Sequence, residues 1–409
     1  MKKLLFVTGC FPQEKQQYYL DNSINKYSLA SNVLSWRIIE GFDHISELNF
    51  LVYSCPFVPF YPIDYKKPIV ESYRWDHKGG DDNKDLVIGC LNLKYFGIYH
   101  KSFRLKRKII EWLDASEDNR HILFYSNDIS FMRLVRGLKL KYENLKITVL
   151  ITDLNEFDRD PIKPHGIIQY LKKWMFDFRI KTVYSNMDYL DSFILLADKM
   201  KDFIAIRRRS YMVCEGICNM NVPYEEYKNN MGKKKVLYSG NLHERYGILK
   251  VIDAIKDLSE FYDFFICGDG DARNMVVELT NKYSNVHYLG MLPNEEVIKH
   301  QQSSDLLVNC MPNFGRHTEL SFPSKLMEYM VQGRPVMCHK VPGIPNEYDD
   351  YLLYFKDDSV EGIRRSLKEF ANIPFEEKKR IADANRQFMM NYKNQFFQTR
   401  KIFKFLFDE

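Results

Sequence analysis

Short apolar runs of strand length alternate with longer stretches of helical period through the first half of the chain. Leu4–Thr8, Leu48–Tyr53, His121–Tyr125 and Ile147–Ile151 are near-continuous runs rich in β-branched, aliphatic and aromatic residues. Such runs suit strands buried on both faces. Between them, Ser28–Phe42, Leu105–Leu113, Ile129–Leu140 and Ile167–Phe178 carry apolar residues three and four apart, the period of a helix with one buried face. This alternation predicts βαβ units around a parallel sheet. Ile206–Ser210 leads into a further strand-like run, Tyr211–Cys214. Cys55–Asp85, with four prolines and a Gly-Gly-Asp-Asp turn, reads as a long functional loop rather than core.

The pattern restarts after Asn219–Gly232, a polar stretch of linker composition. Strands are predicted at Lys235–Ser239, Phe264–Cys267, Val286–Leu289, Asp305–Asn309 and Val336–His339. Helices are predicted at Leu249–Ser259, Asp271–Tyr283 and Asn294–His300, with one more opening after Ser321. In doubly wound sheets ligands bind beyond the carboxyl ends of the strands. That rule gathers Gly240, Gly268, Gly270 and Pro312 on one rim beside Ser321–Glu328. Helical patterns then fill Val360–Glu409, where Phe397, Ile402, Phe403 and Leu406 form an apolar stripe. The expected division is an α/β domain over 1–218, a linker over 219–232, a second α/β domain over 233–388, and a closing helix over 389–409.

A chain of 409 residues with 45% hydrophobic and 28% charged residues is globular and large enough for two cores. Its eight cysteines are scattered without a zinc or disulfide spacing, as expected of a reduced cytoplasmic protein. The start, Met1–Gly9, is expected to be a first strand rather than a signal peptide. No apolar run reaches the length that spans a bilayer. The net charge of +5 is concentrated in the first half, at His100–Trp112, Arg133–Lys146 and Arg207–Arg209. Two readings stand: solvated helix faces, or a surface for anionic lipid on the inner face of the plasma membrane. No recognition-helix, zinc-finger or RNA-binding signature accompanies the charge, which argues against nucleic acid.

The densest chemistry lies in Ser321-Phe-Pro-Ser-Lys-Leu-Met-Glu-Tyr-Met330, followed by Gly333-Arg-Pro-Val336. A small-residue loop enters a helix whose first amides are free to meet an anion. Lys325 and Glu328, three apart, share a helix face. A cation for phosphate and a carboxylate for ribose hydroxyls suit a nucleotide diphosphate. The stretch resembles the donor-binding signature of retaining family 4 glycosyltransferases, with Ser321, Phe322 and Pro323 over the usual Gly-Phe-Gly and Glu328 over its second Glu. The usual first Glu falls on Leu320, with Glu319 one residue early. Either Glu319 swings into the sugar-binding role, or the amides of Ser321–Ser324 suffice without it.

Gly240-Asn-Leu-His-Glu-Arg-Tyr-Gly247 follows a strand and opens a helix, as a phosphate cradle does. The family usually has Arg where Asn241 stands, and Lys one place after Arg245. Gly268-Asp-Gly270 matches its Gly-x-Gly turn near base and diphosphate. Pro342–Tyr348, Ile151–Phe157, Phe193–Lys201 and Tyr211–Gly216 are similar to a bacterial subset of the family that builds capsule and other surface polysaccharides. Asp153, beyond a strand, and Asn127 and Asp128, beyond another, are candidate acceptor or sugar contacts. Helix capping is the competing account of Asn127 and Asp128. His165 and His317 lie in loops near the same rims.

The resemblance implies the GT-B fold: two Rossmann-like α/β domains facing a cleft, with the last helix crossing back to the first. It implies transfer of a sugar, with retention and without a metal or other cofactor, from a UDP- or GDP-linked donor. The donor would lie on Gly240, Asn241, Arg245, Gly268, Gly270 and Ser321–Glu328 of the second domain. Asp153, Asn127, Asp128 and Glu319 are the catalytic candidates. The acceptor, on the first domain, is expected to be a growing glycan, and a polyprenyl diphosphate carrier at an anionic membrane would suit it. An epimerase or hydrolase of the same fold, or a non-catalytic sugar-nucleotide-binding scaffold, are the alternatives.

Overall fold

The computed structural model describes residues 1–24, 29–80, 84–94, 96–115, 120–154, 166–204, 206–229 and 231–407. The chain forms two units, Met1–Cys214 with Gln395–Glu409, and Glu215–Asn394.

In the first unit the strands are β1 (Lys2–Thr8), β2 (Leu48–Ser54), β3 (Ile69–Val70), β4 (Tyr73–Trp75), β5 (Asp85–Val87), β6 (Cys90–Leu91), β7 (Arg120–Tyr125), β8 (Lys146–Ile151), β9 (Ser192–Leu195) and β10 (Ser210–Val213). Eight of them pair in the order β10-β9-β8-β7-β1-β2-β5-β4. All pairs in this sheet are parallel except β4 on β5. The helices are α1 (Gln16–Asp21), α2 (Ala30–Asp43), α3 (Phe96–Asp114), α4 (Ile129–Lys141) and α5 (Ile167–Met187). Strands β1, β7 and β8 are almost wholly buried, as their unbroken apolar runs require. Right-handed crossovers put α3, α4 and α5 on one face of the sheet and α2 on the other. The stretch from Cys55 to Asp85 departs from the expected open loop. It contains β3 and β4 and buries Tyr65, Val70 and Trp75; its aromatic residues cap the sheet edge despite the prolines.

The second unit has β11 (Lys234–Ser239), β12 (Tyr262–Cys267), β13 (Val286–Gly290), β14 (Leu306–Asn309), β15 (Val336–Cys338) and β16 (Leu353–Tyr354). They form a parallel sheet in the order β13-β12-β11-β14-β15-β16. Its helices are α6 (Ile248–Ile255), α7 (Arg273–Lys282), α8 (Asn294–Gln302), α9 (Gly315–Leu320), α10 (Lys325–Met330), α11 (Val360–Ala371) and α12 (Phe375–Tyr392). From β11 the chain steps to β12 on one side and later to β14 on the other, so a crevice opens at the carboxyl end of β11. The ends of this unit are tied together. The Cys218 amide donates to the Lys393 carbonyl at 2.8 Å. The Lys393 ammonium, almost fully buried, lies 2.5 Å from Glu215 and 2.6 Å from Glu347. Tyr348 donates a further hydrogen bond to Glu215, so the buried carboxylate is both ion-paired and hydrogen-bonded.

The last helix, α13 (Gln395–Phe407), belongs to the first unit and packs on α2. Ile402, Phe403 and Leu406 are buried there, whereas Phe397 of the expected stripe is exposed.

Candidate functional site

Three loops of the second unit converge at the carboxyl ends of β11, β12 and β14. The first, Gly240–Gly247, is locked to the second, Gly268–Ala272. The Leu242 amide donates to the Asp269 carbonyl and the Ala272 amide to the Leu242 carbonyl, each at 2.9 Å. Gly268 has φ +142°, and a Cβ there would stand 1.8 Å from the Gly240 carbonyl oxygen. A Cβ on Gly270 would meet the Leu242 carbonyl at 2.5 Å. Both positions require glycine because two backbones touch. Asp271 joins in: it accepts the Glu244 amide at 2.9 Å and lies 2.5 Å from His243 Nδ1. The amide and the imidazole hold its carboxyl below the usual range.

These bonds alter the expected phosphate cradle. The amides of Gly240, Leu242 and Glu244 are already spent on Cys267, Asp269 and Asp271. What the loop offers is mainly side chains. Asn241 and Arg245 are exposed, and the Arg245 guanidinium lies over the Tyr246 ring. His243, Glu244, Arg245 and Asp271 line an open depression.

The third loop runs from Asn309 to α10. Its apolar members are anchors: Phe322, Leu326, Met327, Tyr329 and Met330 are buried, with the Phe322 ring 5.2 Å from Tyr348. Pro323 is buried too, and Ser324 is exposed. The Ser321 hydroxyl donates to the His317 carbonyl at 2.8 Å. Helix α10 has six residues, so its dipole is weaker than that of a long helix. Tyr329 reaches across to β11, where its hydroxyl accepts the Ser239 amide at 2.8 Å and donates to the Ser239 carbonyl at 3.0 Å.

This anchoring leaves Lys325 and Glu328 as a half-exposed pair. The ammonium lies 2.8 and 2.7 Å from the two carboxylate oxygens. Gln301, fully buried at the end of α8, donates to Glu328 at 2.7 Å and to the Ser239 hydroxyl at 3.1 Å. The carboxylate is therefore aimed from behind by a neutral amide and covered in front by a removable cation. An ion pair this exposed stabilises the fold by about 0–1 kcal/mol, so a ligand can separate it at small cost. Each partner can then take a different part of the ligand, the cation an anion and the carboxylate hydroxyl donors. Sequence reasoning missed Gln301; its signal is a glutamine pair, Gln301-Gln302, where a buried helix face would ordinarily be apolar.

Helix α9 carries Glu319, half-buried, next to Leu320, which is buried. His317 on the same helix stacks on Tyr246 at 6.4 Å, closing the third loop against the first.

The candidates of the first unit sit at their predicted strand ends. Ser126, just past β7, has φ 79°, a conformation disfavoured for residues other than glycine. Asn127 follows, half-buried. Asp128 caps α4: its carboxylate accepts from the Ser130 amide at 2.9 Å and from the Ser130 hydroxyl, and Lys101 lies at 3.7 Å. Burial pushes its carboxyl upward, but Lys101 and the Ser130 hydrogen bonds prevail and hold it below the usual range. Asp153 is exposed just beyond β8. His165 and Asn155–Phe157 lie outside the described residues.

Residues 224–388, nearly all of the second unit, match the family model described as glycosyl transferases group 1. The chain is similar in fold to sucrose-phosphate synthase from Thermosynechococcus elongatus, with TM-score 0.61 and 12% identity over 100% of this chain and 99% of that one. A glycosyltransferase from Rickettsia africae gives TM-score 0.58 at 13% identity, covering 100% and 99%. An α,α-trehalose-phosphate synthase (UDP-forming) from Burkholderia xenovorans, in complex with glucose-6-phosphate, gives 0.58 at 8%, covering 99% and 100%. The fold is GT-B. No curated protein sequence matches the chain. In a GT-B frame the loops just described occupy the rim of the carboxyl-terminal Rossmann-like unit.

Proposed function

We propose that the protein transfers a sugar, with retention, from a nucleotide-diphosphate sugar to a glycan acceptor. The observation that carries this reading is the Lys325–Glu328 pair. It stands at the mouth of the β11 crevice, held from behind by Gln301, within a segment that matches glycosyl transferases group 1. In the bound state Glu328 accepts the ribose hydroxyls and Lys325 turns to the diphosphate. Arg245 shares the charge that develops on the leaving group, and positive groups placed where charge develops contribute most to such a step. Gly268 and Gly270 hold the second loop on the first, and the nucleotide lies along the rim so formed. Asp153 and Asn127 serve the acceptor or the transferred sugar. Asp128 serves it only indirectly, by fixing α4. With Leu320 turned into the core, the amides around Ser321–Ser324 take the place of the usual first Glu. The acceptor is a growing surface glycan on a lipid carrier, met at the cytoplasmic face of an anionic membrane; the basic stretches of the first unit support this part.

Incubating the chain with UDP- and GDP-sugars in EDTA tests the reading. Release of nucleoside diphosphate, with glycan extension when acceptor is added, is the expected result. A requirement for Mg2+ or Mn2+ overturns the metal-independent leaving-group scheme. Free epimer or free sugar as the end product overturns transfer. Failure to bind any sugar nucleotide overturns the donor site itself.

A further inference from the structure

Helix α3 is seated along its length: Leu105, Ile109 and Leu113 are buried, while Phe96, Tyr99, Phe103 and the cations Arg104, Lys106 and Arg107 are exposed. Of the apolar residues in its basic stretch, Leu105 and Ile109 are core, Ile110 and Trp112 are half-buried and Phe103 is exposed. Helix α5 exposes a longer stripe. Its last turns are seated, with Val183 and Met187 buried, and it packs on α4. Among the described residues, its first three turns expose a set of large apolar side chains. Ile167 is 88% exposed, Tyr170 62%, Leu171 55%, Trp174 63% and Phe178 51%. At 100° per residue these five fall within an arc of roughly 100°, a continuous apolar stripe. Trp174 and Phe178 stack within it at 5.9 Å.

These turns carry Lys172 and Lys173, and the next turn Arg179 and Lys181; Asp177 is paired with Lys173 at 2.8 Å, and Arg179 acts on Asp128. An apolar stripe rich in Trp, Tyr and Phe and flanked by cations fits the boundary between anionic headgroups and acyl chains. It does not fit a second copy of itself, because two such stripes would bring their cations together. We infer that the first three turns of α5 form a membrane-docking surface for anionic lipid, with the Ile167–Phe178 stripe inserted and the lysines at headgroup level. The inference deepens the proposed membrane-held acceptor, and names α5 rather than α3 as the element that holds the protein there.

Trp174 is the one exposed tryptophan of four, so it reports on the stripe directly. The test uses the full chain with sucrose-loaded vesicles of phosphatidylcholine, with and without phosphatidylglycerol. Expected are co-sedimentation with the anionic vesicles at low salt, release at high salt, and quenching of fluorescence by brominated acyl chains that disappears in Trp174→Phe. Leu171→Glu with Trp174→Glu, both at exposed positions, should lower the partition coefficient at least tenfold while the melting temperature and UDP binding stay as in the wild type. Neutralising Arg104, Lys106 and Arg107 should lower it several-fold less. The inference is overturned if the wild type ignores anionic vesicles, if the double variant binds them as well, or if bromine does not quench Trp174. A concentration-dependent dimer that the double variant abolishes, without vesicle binding, assigns the stripe to a second copy instead. Loss of UDP binding in the wild type would sink the glycosyltransferase reading and leave the vesicle result standing.

Discussion

The two units share a doubly wound sheet whose chain order reverses beside the first strand, yet they use charge at their rims in opposite ways. In the first unit charges are consumed by the fold. Asp128 caps α4 and pairs with Lys101. At the sheet edge His77 is clamped between Asp85 at 2.6 Å and Asp43 at 3.1 Å. In the second unit the rim is closed mainly by backbone contact, Gly268 on Gly240 and Gly270 on Leu242, with hydrogen bonds from Tyr329 and Gln301 and with Asp271 accepting the Glu244 amide. The structural task is finished before Lys325 and Glu328 are reached, so their exposed pair can be opened by a ligand. A titratable residue at a strand end is thus a weaker indication of chemistry than the ease with which its partner can be displaced.

The contrast breaks most visibly at Gly268. Gly268→Ala forces a Cβ into the Gly240 carbonyl at a left-handed backbone, so destabilisation of about 3 kcal/mol or more is expected, read by urea unfolding. A variant as stable as the wild type would show that the loops are not held by that contact. Glu328→Ala is expected to weaken nucleotide binding by about 2–3 kcal/mol, the scale of lost hydrogen bonds to a charged acceptor, with little change in melting temperature; calorimetric titration with UDP and GDP decides. Equal affinity would remove Glu328 from the site.

In the first unit the sign of the pH dependence is fixed by His77. Burial opposes its protonation, but hydrogen bonds and charge from Asp43 and Asp85 prevail and raise it from 6.5 to about 9. A raised histidine stabilises fully below about pH 6.5, and the contribution is lost as pH rises through about 9, on the order of 2 kcal/mol. The difference in unfolding free energy between wild type and His77→Gln should shrink between pH 6 and pH 9.5; a constant difference would contradict the clamp. The smallest effect is expected at Asp128. Asp128→Asn keeps a capping oxygen but strips Lys101 of its counter-charge, costing about 1 kcal/mol with turnover nearly unchanged. A thousandfold fall in turnover of a folded Asp128→Asn would instead make it a catalytic residue.

Much of this was legible in the residues. The strands β1, β7, β8, β11, β12 and β14 announce themselves as apolar runs, because strands buried on both faces have no polar alternation to blur them. The Ser321–Glu328 segment was legible because its spacing encodes both anchor and charge. The sequence could not show that Gly240, Leu242 and Glu244 spend their amides, since the partners, two carbonyls and the Asp271 carboxylate, lie 27 residues away in the chain. Nor could it separate α3 from α5. Both have the period of a buried stripe, and period says that a face is apolar, not that something covers it. Cys55–Asp85 misled for the reverse reason: its prolines suggested an open loop, while Tyr65, Val70 and Trp75 pack.

One consequence concerns synthesis. The second unit is an uninterrupted segment whose two ends are stapled by Glu215 and Lys393, whereas the first is completed only by α13. On the ribosome, the face of α2 around Gly41, which receives Thr399 and Gln395, stays bare while all of the second unit is made and can fold. The first unit, although translated first, is the last to be finished.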